Sequence, residues 1–441
     1  MSTEGRGRRR RFIGGGCAFR RCGTMTGQAV PIGTGAPAAS LLADRVAVFL
    51  LGAALNFNVL TSTFGLPFQR LSDLLPFLLI PWLGLRRAVI AEALRQAAPL
   101  AGILVLIAAS LVLKAHKQAG DVYLTLVLLL YVVQAFILLV MFRDRRVEEA
   151  FCIGLLAGLL ASLAVLLLAA SGLQLERFGL AVPTDGLDEE LKLFVQDKQG
   201  GLWASGNETG HVFALGGAAS LVLSLRYRLK AIYLAYFAAL LASFPFTNNR
   251  AGLFMPLLFL GLLMRRNLKA PAVLAVFGVL GLLLVAWAVT GEIPLPGTLS
   301  QAIERRFAED RNVTGNFDER FLSGVTALQL VVEYPFGVGE VARREELQAL
   351  TGLVTPHNGF VSLALQSGIA VALLLLSGLG RILLAPAAFG PFLTYSALFL
   401  IPSLMFEELS VNQYFLFFMG FILASLALPP DRAASATGQR P

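Results

Sequence analysis

Apolar runs long enough to cross roughly 30 Å of hydrocarbon recur along this chain. They fall at 41–62, 68–85, 97–114, 122–142, 150–172, 211–226, 231–246, 251–264, 271–290, 358–379, 388–406 and 412–428. Read as helices, they make about twelve membrane spans. Composition agrees: 56% of the residues are hydrophobic, 15% are charged and the mean hydropathy is +0.72, which excludes a soluble domain of 441 residues. The expected fold class is an all-α polytopic membrane protein.

The basic residues order these spans. Arg86 and Arg87, then Arg143, Arg145 and Arg146, then Arg226, Arg228 and Lys230, then Arg265, Arg266 and Lys269, and finally Arg381 all fall in alternate short connections. Lys and Arg collect on the cytoplasmic side of a membrane, so these connections and both termini are expected there. The net charge of +8 thus marks a membrane face and does not point to a nucleic-acid partner. Residues 1–38, rich in Arg and Gly, read as a disordered basic cytoplasmic tail, 39–428 as the transmembrane domain and 429–441 as a second cytoplasmic tail. The tail's arginine run superficially resembles a twin-arginine export signal, but the residues after it, GGGCAFRRCG, are not apolar. Cys17, Cys22 and Cys152 show neither metal-site nor disulfide-framework spacing.

Two long segments face the opposite side. Residues 173–210 are acidic and Gly-rich and read as a lid or solvated loop. Residues 291–357 form a long polar segment and are expected to fold against the membrane's outer surface. Within them Thr298 and Gln301 form a capping-box pattern opening one short helix. A second helix is expected from Asp318, with Phe321, Val325, Leu328 and Val332 spaced as one buried face. It should stop at Pro335-Phe-Gly-Val-Gly339, where proline and two glycines force a turn.

The topology brings three basic residues to this one boundary: Arg250 at the start of a span, Arg320 at the head of the amphipathic helix, and His357 at the start of another span. A guanidinium pairs bidentately with phosphate oxygens and keeps its charge. Arg250 also belongs to a helix N-terminus capped by Thr247 or Asn248, where free N–H groups favour an anion. With Thr355 as cap and Pro356 as first helical residue, His357 sits at a positive helix end, which favours a neutral imidazole able to act as general base or hydrogen-bond donor. Each residue also has a plainer reading. Arg250 fits an interfacial arginine reaching to headgroups, Arg320 a solvated neighbour of Asp318 and Glu319, and His357 a histidine in a polar helix cap. Arg305, Arg306, Arg343 and Arg344 read as solvated faces or headgroup contacts, and His116 and His211 as loop and helix-end residues.

The order FTNNRAGLFMPLLFLGLL, ERFLSGVTALQLVVEYPFGVGEV and TPHNGFVSLALQSGIAVALLLL, over about residues 200–380, resembles the O-antigen ligase family and its related polysaccharide polymerases. The shared features are an arginine step at a helix start, an arginine before a helix ending in Pro and Gly-x-Gly, and a His-Asn pair opening the next span. Where the family has serine, arginine and glycine, this chain has Asn249, Arg250 and Ala251.

The resemblance implies a type-C-like glycosyltransferase architecture in the bacterial inner membrane, with its site facing the periplasm. It implies a metal-independent enzyme without cofactor that takes a glycan from an undecaprenyl-pyrophosphate-linked donor. The acceptor would be lipid A-core, or another glycan in a polymerase. On this resemblance Arg250 and Arg320 would bind the leaving pyrophosphate and His357 would activate the acceptor hydroxyl, with Asn249 and Asn358 in support. A lipid-linked glycan transporter is the competing expectation from a different class. Such transporters commonly carry two related halves and charged residues near the membrane midplane; the sequence shows no such repeat, and its span cores are almost free of charge.

Overall fold

A computed structural model describes residues 38–56, 90–91, 94–95, 97–170, 209–247, 313–352, 356, 358–406 and 413–428. Among them the regular elements are all helices. In chain order these are α1 (Ala38–Ala54), α2 (Ala97–Leu113), α3 (Ala119–Met141), α4 (Arg145–Ala170), α5 (Thr209–Tyr227) and α6 (Ala231–Thr247). After them come α7 (Val313–Glu333), α8 (Glu340–Thr351), α9 (Gly359–Ser367), α10 (Ile369–Leu384), α11 (Pro391–Phe406) and α12 (Gln413–Ala427). A single helical turn, Pro386–Phe389, leads into α11.

The runs predicted at 97–114, 122–142, 211–226, 231–246, 388–406 and 412–428 each coincide with a helix. The run predicted at 150–172 starts earlier, at Arg145, because Asp144 accepts a hydrogen bond from the Arg146 N–H and opens the helix there. Both α3 and the Arg145–Leu166 part of α4 are long and apolar enough to cross a bilayer. The predicted runs 68–85, 251–264 and 271–290, the segment 291–312 with Thr298 and Gln301, most of the loop 173–210 and both expected tails lie outside the described residues.

Close helix approach organises the packing. A Cβ on Gly154 or Gly158 of α4 would lie 2.1 and 2.4 Å from the carbonyl oxygens of Phe49 and Ala53, so α1 rides directly on the α4 backbone. The Asn56 amide closes that pair by donating to the Leu155 carbonyl at 3.1 Å. Small residues and side chain-to-backbone hydrogen bonds of this kind hold helices together where lipid removes the hydrophobic drive. Further in, Phe151, Phe392, Phe417 and Phe421 form an aromatic centre joining α4, α11 and α12, with ring centroids 4.9 to 6.1 Å apart. By contrast, large apolar side chains such as Leu50, Val105, Leu126 and Leu160 are exposed on the outside of α1 to α4.

The bundle has two distinct ends. At one, Arg226 pairs with Glu149 at 2.8 Å and donates to the Arg145 carbonyl, and the Glu148 carboxylate accepts from the Phe392 N–H at 3.0 Å. Arg381 donates to the carbonyls of Ser425, Leu426 and Leu428 at this end as well. Three of the sequence's basic connections therefore gather together, as the alternation of charge predicts. The other end holds the α2–α3 connection, α7, α8 and α9.

Two features at that other end depart from the sequence expectation. The run 358–379 is two helices, α9 and α10, broken at Gly368, whose φ of 89° suits only glycine. Helix α7 begins at Val313, before Asp318, and it buries the opposite face from the one predicted. Ser323, Ala327, Leu330 and Val331 are buried, while Phe321, Val325, Leu328 and Val332 are exposed.

Candidate functional site

The residues of interest hang on a turn, Pro335-Phe-Gly-Val-Gly339, between α7 and α8. Glycine is required here by geometry: Gly337 and Gly339 have φ of 91° and 104°, and a Cβ on Gly337 would lie 2.9 Å from the Gln366 carbonyl oxygen and the Gly368 nitrogen. The turn serves the backbone groups freed by the α9–α10 break. The Val338 N–H donates to the Leu365 carbonyl at 2.7 Å, and the Ile369 N–H donates to the Pro335 carbonyl at 2.9 Å. A broken helix inside an apolar bundle needs such partners, because an unmade backbone hydrogen bond there costs several kcal/mol, on the order of 2–7.

On its far side the turn meets the α2–α3 connection. The Ala115 N–H donates to the Gly337 carbonyl at 3.1 Å, and a Cβ on Gly339 would be 2.4 Å from the His116 carbonyl oxygen and 3.0 Å from Asp121 Oδ2. Beneath it Lys114 Nζ and Asp121 Oδ1 form an ion pair at 3.0 Å with both side chains buried, at 2% and 1% exposure. The other Asp121 oxygen accepts from the Gln118 N–H at 3.2 Å and starts α3. A buried charge is tolerated only with a close partner, so this pair fixes the connection on which the turn rests. The sequence gives one local sign of it, an aspartate three residues after Gln118 at the head of an apolar run.

The turn sets the course of α7, which runs back along α9. Gly324 of α7 comes beside Pro356, whose carbonyl oxygen would be 3.9 Å from a Cβ placed there. Arg320 is one helical turn before Gly324, in the row 320, 324, 327, 331 that includes the buried Ala327 and Val331. It stands about two turns from the helix start at Val313 and not at its head. His357, which follows Pro356 directly, lies outside the described residues, as do Thr355, Asn249 and Arg250. Of the three predicted basic residues, the structure describes the backbone of Arg320 alone.

Asn358 corrects the predicted cap. Its Oδ1 accepts from the N–H groups of Phe360 and Val361, both at 3.1 Å, and α9 begins at Gly359. Pro356 is therefore outside the helix and not its first residue. The physical reason is choice between two cap-forming residues: an asparagine in extended backbone, φ −141°, satisfies two of the orphan donors.

Arg343 is the second correction. Read from sequence as a solvated or headgroup-facing residue, it is fully buried in the first turn of α8. The Gly339 turn presses α8 inward along the row Arg343–Leu347, leaving Arg344 and Glu345 outside. The charged string ARREE concealed this, since helical spacing alone does not say which charge points in. Nearby, burial raises the Glu346 carboxyl above its ordinary range; the neighbouring Glu333 adds to the rise and His116 opposes it. The His116 ring is 6.3 Å from that of Tyr334.

Among the described residues this end of the bundle thus carries the buried Arg343, the buried Lys114–Asp121 pair and the Asn358 cap of α9. The chain matches no protein-family model and no curated protein.

Proposed function

We propose that the chain is a polytopic membrane glycosyltransferase of the bacterial inner membrane. It transfers a polysaccharide from undecaprenyl pyrophosphate to an acceptor hydroxyl on the periplasmic face, and the acceptor is lipid A-core. The single observation that supports this reading is the approach of Gly324 of α7 to Pro356, whose carbonyl oxygen would be 3.9 Å from a Cβ there. Two sequence elements some thirty-odd residues apart, both named by the family resemblance, meet at the end of the bundle opposite its basic connections.

Arg320, with Arg250, binds the donor pyrophosphate and balances the charge that develops as the glycosidic C–O bond breaks. His357 takes the proton of the acceptor hydroxyl as its oxygen attacks the anomeric carbon, and undecaprenyl pyrophosphate departs. Preorganised cations at a developing phosphate charge do the work a metal ion does elsewhere. Asn358, by capping α9, holds the histidine step in place.

A transport reading has one observation in its favour, the discontinuous α9–α10 helix, a form that membrane transporters use at binding sites. The two readings separate in one experiment. In a strain lacking its own ligase, the wild-type chain restores long-chain lipopolysaccharide, whereas Arg320→Ala and His357→Ala leave lipid A-core unextended and lipid-linked glycan accumulates on the periplasmic side. A transporter variant would instead trap that glycan on the cytoplasmic side. Restoration of polymer length without ligation, in a polymerase-deficient strain, would assign the acceptor as another glycan.

A further inference from the structure

The face of α7 that the sequence assigns to the core is turned away from it. Phe321, Leu322, Val325, Leu328 and Val332 are exposed, Val332 to 78%, and Phe336 of the following turn continues the row. Its opposite face, with Ser323, Ala327, Leu330 and Val331, is buried, and the helix packs on α9. Five large apolar side chains along three turns in water would be a strongly unfavourable surface, and such patches mark an interaction site.

What covers this face follows from where α7 is anchored. Its C-terminal turn is bonded to the α2–α3 connection through Ala115 and abuts His116. That connection leads into α3, whose 23 residues extend about 35 Å, so it sits where α3 leaves the hydrocarbon. The exposed apolar row of α2 reaches the same connection at Val112 and Leu113, and that of α3 leaves it at Val122 and Leu126. The row on α7 thus adjoins the exposed apolar side chains of α2 and α3, which on the membrane reading face lipid. Helix α8, on the far side of the turn, presents Arg344, Glu345 and Gln348 to solvent. Character changes from apolar to charged across Pro335–Gly339, which places the waterline there. Asp318, Glu319 and Arg320 before the stripe and Glu333 after it bound an apolar length too short to span a bilayer.

We infer that α7 is an interfacial helix whose Phe321–Val325–Leu328–Val332 face is immersed in the acyl-chain layer of the outer leaflet. Immersion of an amphipathic helix by several ångströms leaves its axis at headgroup depth. Arg320, at the end of the stripe, is then held at the level of lipid phosphates, the level at which a lipid-linked pyrophosphate presents itself. The inference rests on the membrane reading given above.

Single cysteines introduced into the full chain test it, in a background carrying Cys17→Ser, Cys22→Ser and Cys152→Ala. Val325→Cys and Val332→Cys report on the stripe, Leu126→Cys on the outside of α3 and Gln348→Cys on α8. Each is labelled with bimane after reconstitution into phosphatidylethanolamine–phosphatidylglycerol vesicles and quenched with nitroxide-bearing lipids or aqueous iodide. The expected result is that both stripe probes lose most of their emission to a nitroxide near the headgroup, less to one at the chain end, and little to iodide. Gln348→Cys should respond to iodide alone. If Leu126→Cys is quenched by lipid while the stripe probes respond to iodide, α7 lies in water and the inference fails. If the stripe probes respond to neither quencher, protein covers them and it fails equally. If Leu126→Cys also escapes lipid quenching, the membrane reading fails with it.

Discussion

Lys114→Met removes the ammonium from a pair that is almost wholly buried and leaves the Asp121 carboxylate against the Gly339 turn. Breaking a buried pair from one side costs about 3–5 kcal/mol, whereas replacing both partners by uncharged groups is often close to neutral. Here the Gln118 N–H still serves one Asp121 oxygen, which puts the expected loss at the low end, about 3 kcal/mol. Asp121→Asn should cost a similar amount by leaving the lysine charge buried. The double variant should cost only about 1–2 kcal/mol, so the two single losses fail to add by about 4 kcal/mol or more. Denaturant unfolding in detergent micelles measures the cycle. The structure adds a spatial prediction that a generic loss of stability would not make. Hydrogen exchange should rise first in peptides spanning 113–122, 334–340 and 364–370 together, because the Ala115–Gly337 and Val338–Leu365 hydrogen bonds link those three segments. Additive single losses, or exchange rising in 113–122 alone, would refute the view that this pair supports the turn and the helix break.

The remaining predictions separate architecture from chemistry. Gly368→Ala should destabilise by at least about 2 kcal/mol, since its backbone is left-handed and the Phe336 carbonyl carbon is 2.9 Å from the new Cβ; thermal unfolding checks it. Gly324→Ala should be nearly silent in the same assay, because 3.9 Å from the Pro356 oxygen is ordinary contact, while Gly324→Leu should wedge α7 from the histidine step and lower transfer. Asn358→Ala should cost about 1 kcal/mol through loss of the α9 cap, and Asn358→Ser should recover most of it in both stability and activity. For Glu346, a folded-state pKa raised above its ordinary 4.5 means that the folded chain holds the proton more tightly than the unfolded one. Its contribution to stability is therefore fully present below pH 4.5 and is lost as pH rises through the raised value. Glu346→Gln should stabilise at neutral pH by less than about 1 kcal/mol, solvent screening included, with the gain vanishing near pH 4.5; unfolding midpoints across pH test the slope.

Hydropathy and charge alternation were sufficient to read α2, α3, α5, α6, α11 and α12 from sequence, because an apolar run bounded by charges has few ways to fold. The gathering of Arg226 and Arg381 at one end of the bundle was legible for the same reason. The face of α7 was not. Period alone identifies a stripe at 321, 325, 328 and 332, but it does not say whether an apolar stripe turns inward, and the buried face is instead that of Ser323, Ala327, Leu330 and Val331. The break at Gly368 was hidden because its partners lie in a turn about thirty residues earlier. In Thr-Pro-His-Asn-Gly two residues compete as cap, and only the backbone conformation at Asn358 decides between them. The buried side of α8 was obscured by a row of four charges, of which Arg343 alone is wholly enclosed. Arg250 and Asn249, which the resemblance joins to this site, lie outside the described residues.

The most direct test of the central claim is transfer by the purified chain in vesicles, supplied with undecaprenyl-pyrophosphate-linked glycan and lipid A-core in the presence of a metal chelator. Wild type should form the lipid A-core conjugate and release undecaprenyl pyrophosphate, and Arg320→Ala and His357→Ala should each lower the rate by about a hundredfold or more while retaining the wild-type unfolding transition. Full activity in both variants, or no transfer by wild type to either lipid A-core or a second glycan, would contradict the assignment of this end of the bundle as a glycosyl-transfer site.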